Sequence, residues 1–411
     1  MQPSCSLVAF VIVVLLDFGT ARDLRQVTEP KVPEACTSLE PSSGDDTQSI
    51  QKALDSCSKG KAVVLASGNF SSGPLTIPSG VSLLVDRGVT LEAIPNPKLY
   101  DNGEDRCGTV DKYGAGCKAF ISMVKATGSG IYGEGTIDGL GYADIDDKKA
   151  TWWKLNRVAM YRGERSNCPR LIQINDSVDI TLHGIHLKNS PLYHVASSRT
   201  NGLTLWNISV ISPEATVFSD GIELDGCQNV TAAHCSVITV DDDMSIVANT
   251  APSRFISIHN NHIYKGNGLV IGSRINQGIS DVTFSNMTLT DISHGLYIRA
   301  DDVNGGSVSN IAYENICMYR VRYPIFLDAK HNNGTITKAP QFSNISFNGV
   351  KVGSSGKFVL HGYSESHPIT ATINNIHSTD KSAWSILNTR FSVSSWTESS
   401  VDVHCPHHTN G

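Results

Sequence analysis

The sequence predicts an all-β chain wound as a right-handed parallel β-helix, closed at its N-terminal end by a short helix. Three observations predict it. Short β-branched runs recur along the chain, helix-forming runs are scarce, and Gly, Ser, Asn and Thr punctuate the intervals. From Ile180 the steps to Leu203, Val230, Ile256, Val282, Ile311 and Ile345 are 23, 27, 26, 26, 29 and 34 residues. A repeat in this range marks stacked units, each unable to bury its apolar face alone. A propeller or sandwich is the rival, but a propeller blade needs about 40–50 residues.

The elements follow in order. Leu7 to Leu16 is an apolar run of ten, with Gly19 and Ala21 placed as the small residues of a cleavage site. It is too short to span a bilayer, so residues 1–21 read as a secretory signal peptide, leaving residues 22–411 as one β-helix domain. Export predicts a secreted, extracellular protein. Seven Asn-x-Ser/Thr sequons, at Asn69, Asn175, Asn207, Asn229, Asn286, Asn333 and Asn344, agree with that route. Nine cysteines follow the leader, and in an oxidising compartment most should pair. The expected short-range pairs are Cys36–Cys57, Cys107–Cys117 and Cys227–Cys235. Residues Asp46 to Asp55 read as the amphipathic capping helix. The segment from about Asp144 to Arg165 reads as a less regular loop or excursion. Stacked strands then continue to the C-terminal region, with asparagines at their entries suited to hydrogen-bonded ladders. A capped solenoid is expected to be a monomer. The net charge of −6 argues against a nucleic-acid partner, and no later segment predicts a membrane span.

The chemistry-bearing feature is a set of aspartates. Asp220 lies in Phe218-Ser219-Asp220-Gly221, and 21 residues later Asp241, Asp242 and Asp243 stand consecutively in a strand-like run. Crowded carboxyls raise at least one pKa, preparing a proton donor beside an ionised base, the pairing glycoside hydrolysis needs. On these residues alone a calcium site or a solvated acidic turn stands level with a catalytic one. His183, His186 and His194 read as wall or core positions, with no zinc signature. Trp152 and Trp153 read either as sugar-stacking rings or as a buried cluster.

Asp220-Gly221 followed by Asp241-Asp242 resembles the polygalacturonases, family 28 of the glycoside hydrolases. Gly133-Glu134-Gly135-Thr136-Ile137-Asp138-Gly139, Asn189-Ser190-Pro191 and Gly268-Leu269-Val270-Ile271-Gly272-Ser273 extend the resemblance over most of the chain, nearer the bacterial branch. It implies a right-handed parallel β-helix that hydrolyses α-1,4 links between galacturonic acids of pectin, with inversion and no cofactor. Pectin, or polygalacturonate, would be its partner. By position, Asp241 would be the general acid, while Asp220 and Asp242 would hold and deprotonate the attacking water. Asn267, Tyr297, Arg299 and Tyr313 fall at substrate-binding positions. Three departures stand out. Gly266-Asn267-Gly268 replaces the family's Gly-His-Gly, so no proton can be shuttled there. Tyr297-Ile298-Arg299 replaces Arg-Ile-Lys, removing one of two cations that grip the sugar carboxylate. Phe218 replaces an amide. The acids are kept and their surroundings altered. Hydrolysis with reduced activity or of a less charged, substituted or methyl-esterified stretch is therefore expected, and a non-catalytic pectin-binding relative is the alternative. Asp243 is expected to point into the bore or to be paired.

Overall fold

A computed structural model describes residues 22–145, 150–213, 216–301, 305–330, 338–379, 383–399 and 405. The chain coils into a parallel β-helix of three walls. Coils supply strands to the walls, and the wall strands pair in parallel with the strands of neighbouring coils, while Val110–Asp111 and Arg165–Ser166 form a separate antiparallel pair. Two of the walls merge into one 21-stranded sheet, and the third is an 11-stranded sheet. In later coils, strands such as Ile279–Thr290 and Gly306–Tyr319 run unbroken through both merged walls. The signal-peptide residues, Asn333 and the histidines at 404, 407 and 408 lie outside the described residues.

The predicted repeat is the stacking register itself. Ile180 pairs with Leu203, Leu203 with Val230, Val230 with Ile256, Ile256 with Val282, Val282 with Ile311, and Ile311 with Ile345. All seven side chains are buried in the bore. Alternation along each strand sends one residue inward and the next outward, which lets a narrow coil hold an apolar column and a polar surface at once.

Coil corners need left-handed backbone, and asparagine supplies it without glycine's entropy cost. Asn207, Asn229, Asn286 and Asn344 all have φ between 51° and 53°. Ladders form as expected: Asn229 donates to Asn201, Asn344 to Asn310, Asn315 to Asn286 and Asn374 to Asn348. Four of the sequons are thus corner asparagines followed by strand-forming Ser or Thr.

Helix α1, Thr47–Ser56, closes the first coils with Ile50 and Leu54 buried. Asp46 precedes it, buried, and its carboxylate accepts from the backbone N–H of Ser42 and Ser71. Helix α2 is one turn, Pro97–Tyr100. The segment read as an irregular excursion contains helix α3, Trp152–Arg162. Thr151 caps its start by accepting from the Lys154 N–H, and Gly163 ends it at φ 63°. Trp152 and Trp153 are buried at its base, so the buried-cluster reading holds. The Trp153 indole N–H donates to the Ser190 carbonyl.

Two of the three expected disulfides form, Cys36–Cys57 and Cys107–Cys117. The third expectation is corrected. Cys227 and Cys235 are separate buried thiols, and Cys317 pairs with Cys405 instead. The strand Gln228–Ala233 lies between Cys227 and Cys235 and holds them about 20 Å apart. A disulfide needs Cα atoms within about 7 Å. Among the described residues no helix is long and apolar enough to cross a membrane.

Candidate active site

The third wall brings the aspartates together. Its register matches Ile222 with Met244, Met244 with Leu269, and Leu269 with Leu296. Carried two residues toward the start of each strand, the same register aligns Asp220, Asp242, Asn267 and His294. His294 in turn pairs with Tyr323. Extended the other way, it aligns Tyr193 and Arg170. One outward row therefore runs along the wall: Arg170, Tyr193, Asp220, Asp242, Asn267, His294, Tyr323. Adjacent coils are about 4.8 Å apart, so Asp220 and Asp242 are immediate neighbours in it. Their backbones interlock too, since Gly221 N–H donates to the Asp242 carbonyl at 2.9 Å.

Each acid is held differently. Asp241 is half-buried; its Oδ1 accepts from the Asp242 N–H at 3.0 Å, and the Phe218 N–H also donates to its carboxylate. Asp242 is buried and doubly bound. Asn267 Nδ2 donates to its Oδ1 at 3.0 Å and Arg299 Nη2 to its Oδ2 at 2.5 Å. Asp220 is 7% exposed, and its backbone carbonyl accepts from His194 N–H and His194 Nδ1, both at 3.0 Å. A carbonyl can only accept, so Nδ1 carries the imidazole proton and Nε2 accepts from Ser190 N–H. Burial pulls the His194 pKa down to about 4 and keeps it neutral. His194 is thus the core histidine the sequence predicts, and it also positions Asp220. Helix α3 braces the approach to Asp220 from the other side, since Asn156 Nδ2 donates to the Val217 carbonyl at 3.2 Å.

Asp243 resolves as both buried and paired. It is fully buried behind the site, accepting from Thr239 Oγ1 at 2.7 Å and from Gly268 N–H at 2.8 Å. The Gly266-Asn267-Gly268 turn can sit this close only because both flanking positions lack a Cβ. A Cβ on Gly266 would meet Asp243 Oδ2 at 2.5 Å, and both glycines have φ near 70°.

Burial raises the pKa of all four aspartates, and repulsion adds to it, from Asp241 and Asp242 on Asp220, from Asp242 on Asp241 and Asp243, and from Glu223 on Asp242. Among Asp220, Asp241 and Asp242, Asp220 is pushed furthest, by burial, then by Asp241 and Asp242. The Arg299 charge opposes the rise on Asp220, Asp241 and Asp242 alike.

Arg299 and Tyr297 lie on the outward side of the wall two coils beyond Asp242, with the guanidinium 4.8 Å from the Tyr297 ring centre and Tyr297 itself only 3% exposed. Tyr313 does not. It is fully buried in the bore, stacked between Phe284 and Phe347 at 5.0 and 5.2 Å, and has no surface to offer a sugar. The groove residues missed from sequence are Arg170, Glu223 and Arg274 on one side, and His294, Tyr323 and Phe326 on the other. Glu223 and Arg274 form an ion pair at 2.5 Å. No group of three or more His, Cys, Asp or Glu among the described residues is arranged to hold a metal ion.

The profile of Glycosyl hydrolases family 28 matches residues 57–398. An endo-polygalacturonase of Pectobacterium parmentieri is 42% identical over 373 residues, covering 90% of this chain and 92% of the relative. A polygalacturonase of Ralstonia solanacearum is 33% identical, covering 80% of this chain and 72% of its own. The solved polygalacturonase from Erwinia carotovora ssp. carotovora superposes with a TM-score of 0.87 at 41% identity, covering 90% of this chain and 100% of its own. The chain belongs to family 28 of the glycosyl hydrolases.

Proposed function

We propose that this chain is an exported polygalacturonase that hydrolyses α-1,4-galacturonic acid links of pectin with inversion. The observation that carries the reading is the adjacency of Asp220 and Asp242 in one outward row, with Asp241 beside them. Asp242 is the ionised member, because Arg299 and Asn267 both donate to it. Asp220, whose pKa is raised by burial and by Asp241 and Asp242, holds the attacking water together with Asp242, which accepts its proton. Asp241, half-buried and with its own pKa raised, protonates the departing glycosidic oxygen. Inverting hydrolases keep acid and base about 6.5–9.5 Å apart to admit the water. Asp241 and Asp242 are consecutive residues, so such a gap must come from their side chains diverging along the chain, with Asp220 one coil away. The products would be a hemiacetal of inverted configuration and a free hydroxyl.

The relatives' names support this substrate, and the matches cover nearly the whole chain. A second reading, a non-catalytic pectin binder, is favoured by one observation: both oxygens of Asp242 are already engaged by the protein. Reducing-end release from polygalacturonate, methyl-esterified pectin and xylogalacturonan separates the two. Hydrolysis is expected on at least one, with an inverted anomer in proton NMR and a loss of about 10²–10⁴ on Asp241→Asn. Folded protein that leaves all three intact would remove the hydrolase reading.

A further inference from the structure

The outward face of the third wall changes character at the acids. On the side of the later coils it is aromatic. His294 stacks on Tyr297 at 4.5 Å and 16°, and on Tyr323 at 4.8 Å and 13°. Phe326 stands edge-on to all three at 5.1 to 5.3 Å. Two registered pairs, His294 with Tyr323 and Tyr297 with Phe326, make this a two-by-two platform beginning two coils from Asp242. The nearest cation there, Arg299, is spent on Asp242 and lies against the Tyr297 face. Arg322 reaches only the far ring, 5.2 Å from the centre of Tyr323, about 14 Å along the axis from Asp242. Among the described residues the cations on this side near the acids are engaged, Arg299 with Asp242 and Lys265 with the charge of Asp291, so a uronate carboxylate there would face the carboxylate of Asp242.

The side of the earlier coils is the reverse. A hollow of about 250 Å³ is lined by Arg170, Arg199, Arg274, Glu223 and Asp225, among others. Three guanidiniums there face two carboxylates. Arg274 is paired with Glu223 and Arg199 with Asp176. Arg170, two coils before Asp220 in the same outward row, forms no ion pair among the described residues; its guanidinium lies 5.4 Å from the Tyr193 ring centre. Its planar fork is free to take a carboxylate.

Resting on the hydrolase reading above, we propose that the groove binds a free uronate on the Arg170 side of the acids and an uncharged, esterified uronate on the aromatic side, so that cleavage falls at the boundary between them. Esterification removes the charge that would oppose Asp242, and the half-buried rings of His294, Tyr323 and Phe326, with Tyr297 buried beneath them at 3% exposure, give the methyl ester an apolar neighbour.

The test uses the folded chain with galacturonate hexamers, unesterified and partly methyl-esterified, and reads the ester on each newly formed end by mass spectrometry. Wild type is expected to cut the partly esterified hexamer at least fivefold faster and to leave the ester on one new end only. Tyr297→Arg is expected to lower the esterified-to-free rate ratio about tenfold, the size of one charge-assisted contact. Arg170→Gln is expected to relax the demand for a free acid at the opposite end. Tyr323→Ala, at a more open ring, serves if Tyr297→Arg does not fold, and should lower the same ratio. Active wild type that leaves both new ends free, with a ratio unmoved by these variants, overturns the proposal. Should wild type cut neither hexamer, the hydrolase reading fails, and calorimetric binding decides the asymmetry separately. Tighter binding of the partly esterified hexamer, reversed in Tyr297→Arg, upholds it; equal binding of the two hexamers overturns it.

Discussion

Arg299 reaches back across two coils to donate Nη2 to Asp242 Oδ2 at 2.5 Å. That one guanidinium bears on all three acids, because its field lowers the pKa of Asp220, Asp241 and Asp242 against the larger rise that burial imposes. The pair is also a restraint. Arg299 cannot give the same hydrogen bond to a sugar without loosening Asp242.

Arg299→Gln removes that field, and the three carboxyl pKa values rise. The acid limb of kcat/KM, where the base must ionise, moves to higher pH. The alkaline limb, where the general acid must stay protonated, moves the same way. The whole bell therefore shifts alkaline, with a rate loss of about 10²-fold or more. Arg299→Lys keeps the charge without the fork, so it should lose rate with a smaller shift. pH–rate profiles of the three proteins check this, and an unmoved bell in Arg299→Gln contradicts it.

Asn267 holds Asp242 with a neutral amide donor. Histidine there would keep the hydrogen bond and add a proton to move. Asn267→His is expected to raise kcat on unesterified polygalacturonate about tenfold or more, and Asn267→His with Tyr297→Arg further. Initial rates on one polygalacturonate preparation decide it. Unchanged rates would mean that the missing histidine does not limit turnover.

Asp243 bears on stability. It is fully buried, and burial raises its pKa well above the usual carboxylate range despite donors from Thr239 and Gly268. Between its unfolded and folded pKa values the native state holds the extra proton, so its contribution to stability falls as pH rises through that window. Asp243→Asn has no charge to bury. Its amide oxygen can accept from Gly268 N–H while its NH₂ donates to Thr239. The variant should match wild type near pH 4 and exceed it by on the order of 1 kcal/mol at neutral pH. Thermal melts across that range are the measurement, and a variant less stable at neutral pH would refute the assignment.

The solenoid was legible because its period is written in single residues. Ile180 and its six successors are registered partners in the structure. The acids were legible because two of them precede strands whose register was implied by the same period. Tyr313 went astray although the signal was present: it shares strand parity with Ile311, a bore residue, so its side chain had to point inward. Helix α3 carried a Thr151 cap and a Gly163 stop, but only four of its eleven residues are buried, too few for a clear apolar stripe. The aromatic platform could not be read, since His294, Tyr297, Tyr323 and Phe326 meet only after coils of unequal length are stacked.

The cysteines give a covalent check of that stacking. Cys317, in the long strand Gly306–Tyr319, is bonded to Cys405, closing a span of 88 residues, whereas Cys168, Cys227 and Cys235 are buried thiols. Alkylation after unfolding without reduction should label Cys168, Cys227 and Cys235 and leave Cys317 and Cys405 unlabelled, as peptide mass mapping would show. Burial raises the Cys227 pKa to about 11 and that of Cys235 to about 12, so neither should react in native protein at neutral pH. Cys405→Ser should lower stability by about 2–4 kcal/mol, because a long loop loses its closure. A Cys227–Cys235 bridged peptide in the map would contradict the register of the strand between them, and with it the alignment that sets Asp220 beside Asp242.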